Sequence, residues 1–85
     1  MVEITVTQYE KMNDSILDYH QAVDIANAAK WVKDSWDYEL EGIVNKSLSI
    51  KSLIKKIENN KIVTIKSPYV SNIQIVWTIC KQNLA

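Results

Sequence analysis

Hydrophobic positions along this chain change period several times, and each change marks an expected element. Val2, Ile4 and Val6 alternate with Glu3, Thr5 and Thr7, the period of two that a half-buried strand requires. Further on, Ala22, Ile25, Ala29, Val32 and Trp36 recur at gaps of three and four, which places them on one face of a helix. Ile16, Tyr19, Val23 and Ala26 widen that stripe toward its N-terminal end. The pattern therefore predicts one long helix over Asn13 to Lys33, with an apolar face broad enough to pack on a sheet. Asn13 is its expected N-cap, Met12 and Leu17 the flanking hydrophobic staple, and Asp14 and Asp18 lie near the positive end of its dipole.

After Lys33 two periods overlap. Trp36, Leu40 and Ile43 continue the helical stripe, while residues 36–41 alternate as a strand with one acidic face would. Aspartate and glutamate are poor strand residues, so a helical continuation, or a second helix capped by Asp34 or Ser35, is the reading adopted. Ser49 caps the next helix, with Ile50, Leu53, Ile54 and Ile57 on its apolar face and Asn59-Asn60 as its stop. Lys61 to Lys66 and Asn72 to Lys81 read as two strands joined by a loop over residues 67–71, and Lys81 to Ala85 as a loose end. Ile73, Ile75, Trp77 and Ile79 share the core face of the last strand; Gln74, Val76, Thr78 and Cys80 point the other way. The expected architecture is α+β in one compact domain spanning residues 1–85. A small antiparallel sheet, made of the N-terminal strand plus the C-terminal hairpin, is packed on one face by two or three helices.

Composition adds an asymmetry. The formal net charge is zero. Yet through Asn45 there are nine acids (Glu3, Glu10, Asp14, Asp18, Asp24, Asp34, Asp37, Glu39, Glu41) against three lysines, a net −6. From Lys46 onward seven lysines face the single Glu58, a net +6. Either the two halves neutralise each other across the fold, or the surface is dipolar and steers a charged partner to one side. There is no arginine and no phenylalanine, with lysine, asparagine and isoleucine frequent, a usage that AT-rich coding produces. Residues 1–5 lack a basic region followed by an apolar core, and one cysteine, Cys80, cannot form an internal disulfide. A cytoplasmic protein with no membrane span is expected.

The chain contains no nucleophile elbow, phosphate-binding glycine loop, metalloprotease helix or calcium loop. A single glycine, Gly42, leaves no means of building the usual phosphate cradle. His20 and Asp24, four apart, match part of a metal site or an oriented base, although a surface hydrogen bond is the common fate of such a pair. No enzyme activity, cofactor or metal is expected. What remains is surface. His20, Asp24, Asn27 and Trp31 are spaced as one helical row, and Asp34, Asp37, Tyr38, Glu39 and Glu41 extend the acidic, aromatic-bearing face. Aromatics flanked by charges are a common plan for an interface, the plainer alternative for Trp31 being a ring laid against the edge of the core.

These residues are the expected contact set for a protein with a basic surface. The function expected is a non-catalytic interaction module: an inhibitor carried by a phage or mobile element, whose acidic face imitates nucleic acid to block a host nucleic-acid-handling protein. The alternative is a small nucleic-acid-binding regulator that follows a phosphate backbone with Lys46, Lys51, Lys55, Lys56, Lys61 and Lys66 and stacks with Tyr69. Lysines without arginine lack the bidentate fork of specific base readers, which weighs against it. An exposed edge strand would also allow a homodimer.

Overall fold

The computed structural model describes residues 2–12, 14–43 and 46–83. The elements run β1 (Val2–Glu10), β2 (Ser15–Ala22), α1 (Ile25–Glu39), α2 (Ile50–Asn59), β3 (Ile62–Lys66) and β4 (Ile75–Asn83). The four strands form one antiparallel sheet in the order β2-β1-β4-β3, and both helices pack on the same face of it, giving a small α+β fold.

The alternation that begins at Val2 does not stop at Thr7. It continues through Gln8, which lies on the buried face with Ile4 and Val6 and is only 3% exposed. β1 pairs on one side with β4, from Val2 opposite Asn83 to Glu10 opposite Ile75, and on the other with β2. Lys81 to Asn83, expected as a loose end, are thereby held in β4; Leu84 and Ala85 lie outside the described residues.

The expected helix over Asn13 to Lys33 is the main correction. Residues 15–22 form strand β2, and the helix begins only at Ile25. Asn13, its expected cap, lies outside the described residues, and the cap that exists is Asp24, whose carboxylate accepts from the Asn27 amide at 2.7 Å. Met12 and Leu17 are exposed and form no staple on a helix, while Asp14 sits in the β1–β2 turn with φ 50° and Asp18 lies in the strand.

The physical reason is that β2 is an edge strand with almost nothing to bury. Ala22 is its one buried residue, and Ile16 and Tyr19 are 70% and 57% exposed. Their helical spacing with Val23 and Ala26, also exposed, therefore reports no buried face. What decides the conformation is the backbone ladder with β1, together with the strand preference of β-branched and aromatic residues. Leu17 forms a bulge opposite Gln8 and Tyr9, so the strand twists at that point.

The remaining elements follow their expected chemistry more closely. The stripe Ile25, Ala29, Val32, Trp36 faces the core, and α1 runs unbroken to Glu39, so residues 36–39 are helix and not strand. Ala28 and Ala29 are fully buried, which lets α1 approach the sheet closely. The chain then turns at Gly42, whose φ of +74° suits a residue without a Cβ. Ser49 caps α2 by accepting from the Ser52 amide, and Leu53 and Ile57 anchor it, with Ile50 and Ile54 half-buried beside them.

β4 begins at Ile75, not Asn72. Residues 70–73 make a tight turn closed by reciprocal Val70–Ile73 backbone bonds, and Ser71 and Asn72 both take positive φ, as a type I′ hairpin turn requires. Ile73 is left exposed there, while Trp77 and Ile79 supply the core and Val76 is buried on the opposite face. Among the described residues no helix is long and apolar enough to cross a membrane.

Candidate functional site

The fold turns the sequence's charge split into a spatial one. The acid-rich half supplies β1, β2 and α1, which packs over those strands; the lysine-rich half supplies α2, β3 and β4. On the acidic side a groove of about 280 Å³ lies between α1 and the sheet, lined by Trp31, Asp34, Ser35, Tyr38 and Glu39 of the helix, Asp18 of β2 and Gln8 of β1.

Helical geometry explains the wall: Trp31, Asp34 or Ser35, and Tyr38 stand three and four apart on the flank of α1 beside its buried stripe. Trp31 is half-buried against the core, whereas Tyr38 is 79% exposed. The floor is fixed by a half-buried relay. The Trp77 indole donates to Ser35 Oγ at 2.9 Å, and the Ser35 hydroxyl donates to Gln8 Oε1 at 2.6 Å. Helix α1 is thus tied to both central strands by hydrogen bonds made under the groove.

The row His20, Asp24, Asn27, Trp31 is assembled, but not on one helix. His20 reaches from β2: its ring stacks on Trp31 with centroids 5.2 Å apart and planes 2° from parallel, and its Nε2 bonds Asn27 Oδ1 at 2.8 Å. Asn27 Oδ1 also accepts from the Val23 amide, and Asp24 caps the helix. This cluster fastens the edge strand to the start of α1, and its polar atoms bond one another. Trp31 takes the plainer placement weighed above, lying against the core edge, while also forming the end wall of the groove.

The other acids divide in two. Asp34 pairs with Lys30 at 2.8 Å on the surface. Asp37 accepts from Lys33 Nζ and from the Ser47 hydroxyl, both at 2.6 Å, which clasps α1 to the segment leading into α2. Those bonds, the Lys33 one foremost, hold the Asp37 carboxyl below its ordinary value, and the same contact raises Lys33. Glu41 and Asp37 line a separate small hollow with Trp36 and Lys46 and do not reach the groove. So Trp31, Asp34, Tyr38 and Glu39 come together from the expected contact set, and His20, Asp24, Asn27, Asp37 and Glu41 serve other contacts or lie elsewhere.

Asp18, Ser35 and Gln8 belong to the groove and were not anticipated there. Gln8 carried a signal, a polar residue in phase with Ile4 and Val6 on a buried strand face; Asp18 carried none until its strand was known.

The lysine-rich set does not form one surface. Lys51, Lys55 and Lys56 are exposed on α2, and Lys66, opposite Val76, is on the sheet face that the helices leave open. Lys61 precedes β3, Tyr69 is exposed in the hairpin, and the Lys46 carbonyl is held by the Trp36 indole at 3.0 Å. Among the described residues no three His, Cys, Asp or Glu side chains gather closely enough to hold a metal ion. Comparison of the chain with protein-family models, with curated proteins and with solved structures finds no match, so the groove is read from its own geometry.

Proposed function

We propose that this chain is a non-catalytic interaction protein that receives a lysine- or arginine-bearing segment of a basic protein partner in the groove between α1 and β2. The observation that carries this is the convergence of two aromatic rings, Trp31 and Tyr38, with three carboxylates, Asp18, Asp34 and Glu39, on the acidic side of a charge-divided molecule. An aromatic face attracts a cation more strongly once water is excluded, and carboxylates beside it supply charge-assisted hydrogen bonds. Tyr38, large and almost fully exposed, is the group such a partner would cover. A nucleic-acid-handling protein, basic by function, is the partner class this charge suits, and a cytoplasmic inhibitor carried by a phage or mobile element is the role that fits the acidic side of the molecule.

The test is affinity capture from a nuclease-treated bacterial lysate with two baits, the wild-type chain and a Tyr38→Ala/Asp34→Asn/Glu39→Gln variant of matching circular dichroism. A basic protein retained by the first and lost by the second is expected. The same proteins on both baits would refute the groove. Nucleic acid alone, released by salt, would move the assignment to the lysine side.

A further inference from the structure

We propose that the floor of the groove recognises a primary carboxamide, so that the partner's segment carries an asparagine or glutamine two residues from its lysine or arginine. The inference rests on the groove being the docking site, and it starts from a donor that the fold leaves unused. Gln8 lines the groove and is only 3% exposed, yet half of its amide has no partner. Ser35 Oγ accepts from the Trp77 indole at 2.9 Å and so offers its own hydrogen to Gln8, which puts the amide oxygen on Ser35 and fixes the orientation of the group. Among the described residues nothing accepts from Gln8 Nε2. Nor is that nitrogen sealed in: the one side-chain atom among them that is enclosed without a partner is Gln74 Oε1. Gln8 therefore presents its N–H donors to the groove.

Beside this donor stands an acceptor. The ladder sets Asp18 directly opposite Gln8, and both side chains line the groove. Cβ atoms paired in this way lie about 5 Å apart. Asp18 Oδ1 is taken by the Tyr19 amide at 2.8 Å, which leaves Oδ2. A donor and an acceptor side by side match a group whose own edge carries an acceptor and a donor. A carboxamide is such a group: its oxygen accepts from Gln8 Nε2 while its NH2 donates to Asp18 Oδ2. An ammonium or guanidinium has donors alone and would leave the Gln8 N–H unpaired beneath it; a carboxylate has acceptors alone and would meet the Asp18 charge. A nucleobase edge also carries both, but in a nucleic acid it comes with phosphates, which Asp34 and Glu39 on the helix wall repel.

The cation belongs at the rim. Tyr38 and Glu39 follow Ser35 by three and four residues, one turn farther along α1. In an extended segment, side chains two residues apart share a face and are about 7 Å from each other. A carboxamide over Gln8 thus sets a lysine or arginine two positions away against the Tyr38 ring and the Glu39 carboxylate.

The test uses the full chain and three pentapeptides, acetylated and N-methylamidated: lysine-alanine-glutamine-alanine-lysine, the same peptide with methionine for glutamine, and the glutamine peptide with serine for both lysines. Nitrogen–proton NMR titration to millimolar concentration follows the Gln8 side-chain amide, whose signals Gln8→Met identifies. The first peptide should bind about tenfold more tightly than the methionine one and move those signals. Asp18→Ala, at an exposed position, should remove that preference, as should Gln8→Met where it folds. Equal affinity for the first two peptides, lost in the Tyr38→Ala/Asp34→Asn/Glu39→Gln variant, overturns the carboxamide and leaves the basic partner standing. A serine peptide that binds as well as its lysine parent overturns the basic partner and supports the carboxamide. Binding by none of the three overturns both.

Discussion

Ser35→Ala tests the relay that fixes the groove floor. The hydroxyl has two tasks, accepting from the Trp77 indole and donating to Gln8, and both neighbours are buried, Trp77 completely. Removing it leaves one donor and one acceptor without partners, each costing about 1–3 kcal/mol when water cannot replace the lost bond. Here water has access from one side, because Ser35 lines the open groove, so the low end of that range applies. Alanine is the better helix former by up to about 0.5 kcal/mol, which offsets part of the loss. The net expectation is a destabilisation of about 1.5 kcal/mol, or a fall of roughly 6–12 °C in Tm for a chain of this size. Urea unfolding followed by tryptophan fluorescence measures it. In a double-mutant cycle with Gln8→Met the two changes should couple by at least about 0.5 kcal/mol, because they share a bond. A Ser35→Ala protein as stable as the parent, with no coupling to Gln8, would show that helix propensity dominates and that the relay does not secure α1.

Two further predictions rest on local contacts. Asp37 has a lowered carboxyl value and Lys33 a raised ammonium value, chiefly through their mutual bond. The acid's contribution is therefore present above the unfolded carboxyl's ordinary 3.8 and is lost as pH falls through its folded value; the lysine's is present below 10.5 and is lost as pH rises through its folded value. Asp37→Asn should flatten the acid limb of a urea-midpoint profile below about pH 4, and an unchanged limb would place that titration elsewhere. Asp24→Ala should cost about 1 kcal/mol through the lost cap, while Asp24→Ser should restore most of it; equal losses in denaturant melts would mean that the charge, and not the capping oxygen, is what matters.

How much of this was legible in the sequence depended on whether a residue's neighbours were local. α2 was readable because its cap, Ser49, and its core contacts, Leu53 and Ile57, lie within three turns of one another. The buried side of α1 was readable for the same reason. β2 was not, because an edge strand that buries only Ala22 leaves no periodic trace, and its conformation is set by pairing with β1. The misplacement of Asp18 followed: treated as first-turn helix chemistry, it could not be seen opposite Trp31 and Tyr38 across a groove. The flank of α1 was visible as a spacing, but the groove needed a second wall from an element of a different type.

The charge split shows how a one-dimensional pattern acquires a spatial meaning. Neutralisation between the halves would call for acid–lysine pairs where they meet, at the ladder between β1 and β4 and where α1 packs on α2. On that ladder Glu3 stands opposite Gln82 and Lys81 opposite Ile4, so charge on one strand meets an uncharged neighbour on the other. Lys81 turns instead to the Glu58 carbonyl within its own half, and the ion pairs Lys30–Asp34 and Lys33–Asp37 lie wholly within α1. These pairs trim the acidic side without linking it to the basic one. Surface pairs of that kind contribute little to stability, so segregating like charges brings the fold no evident energetic gain. Those ion pairs leave the two sides unlinked, so the acidic side stays available to the basic segment proposed for the Tyr38 groove.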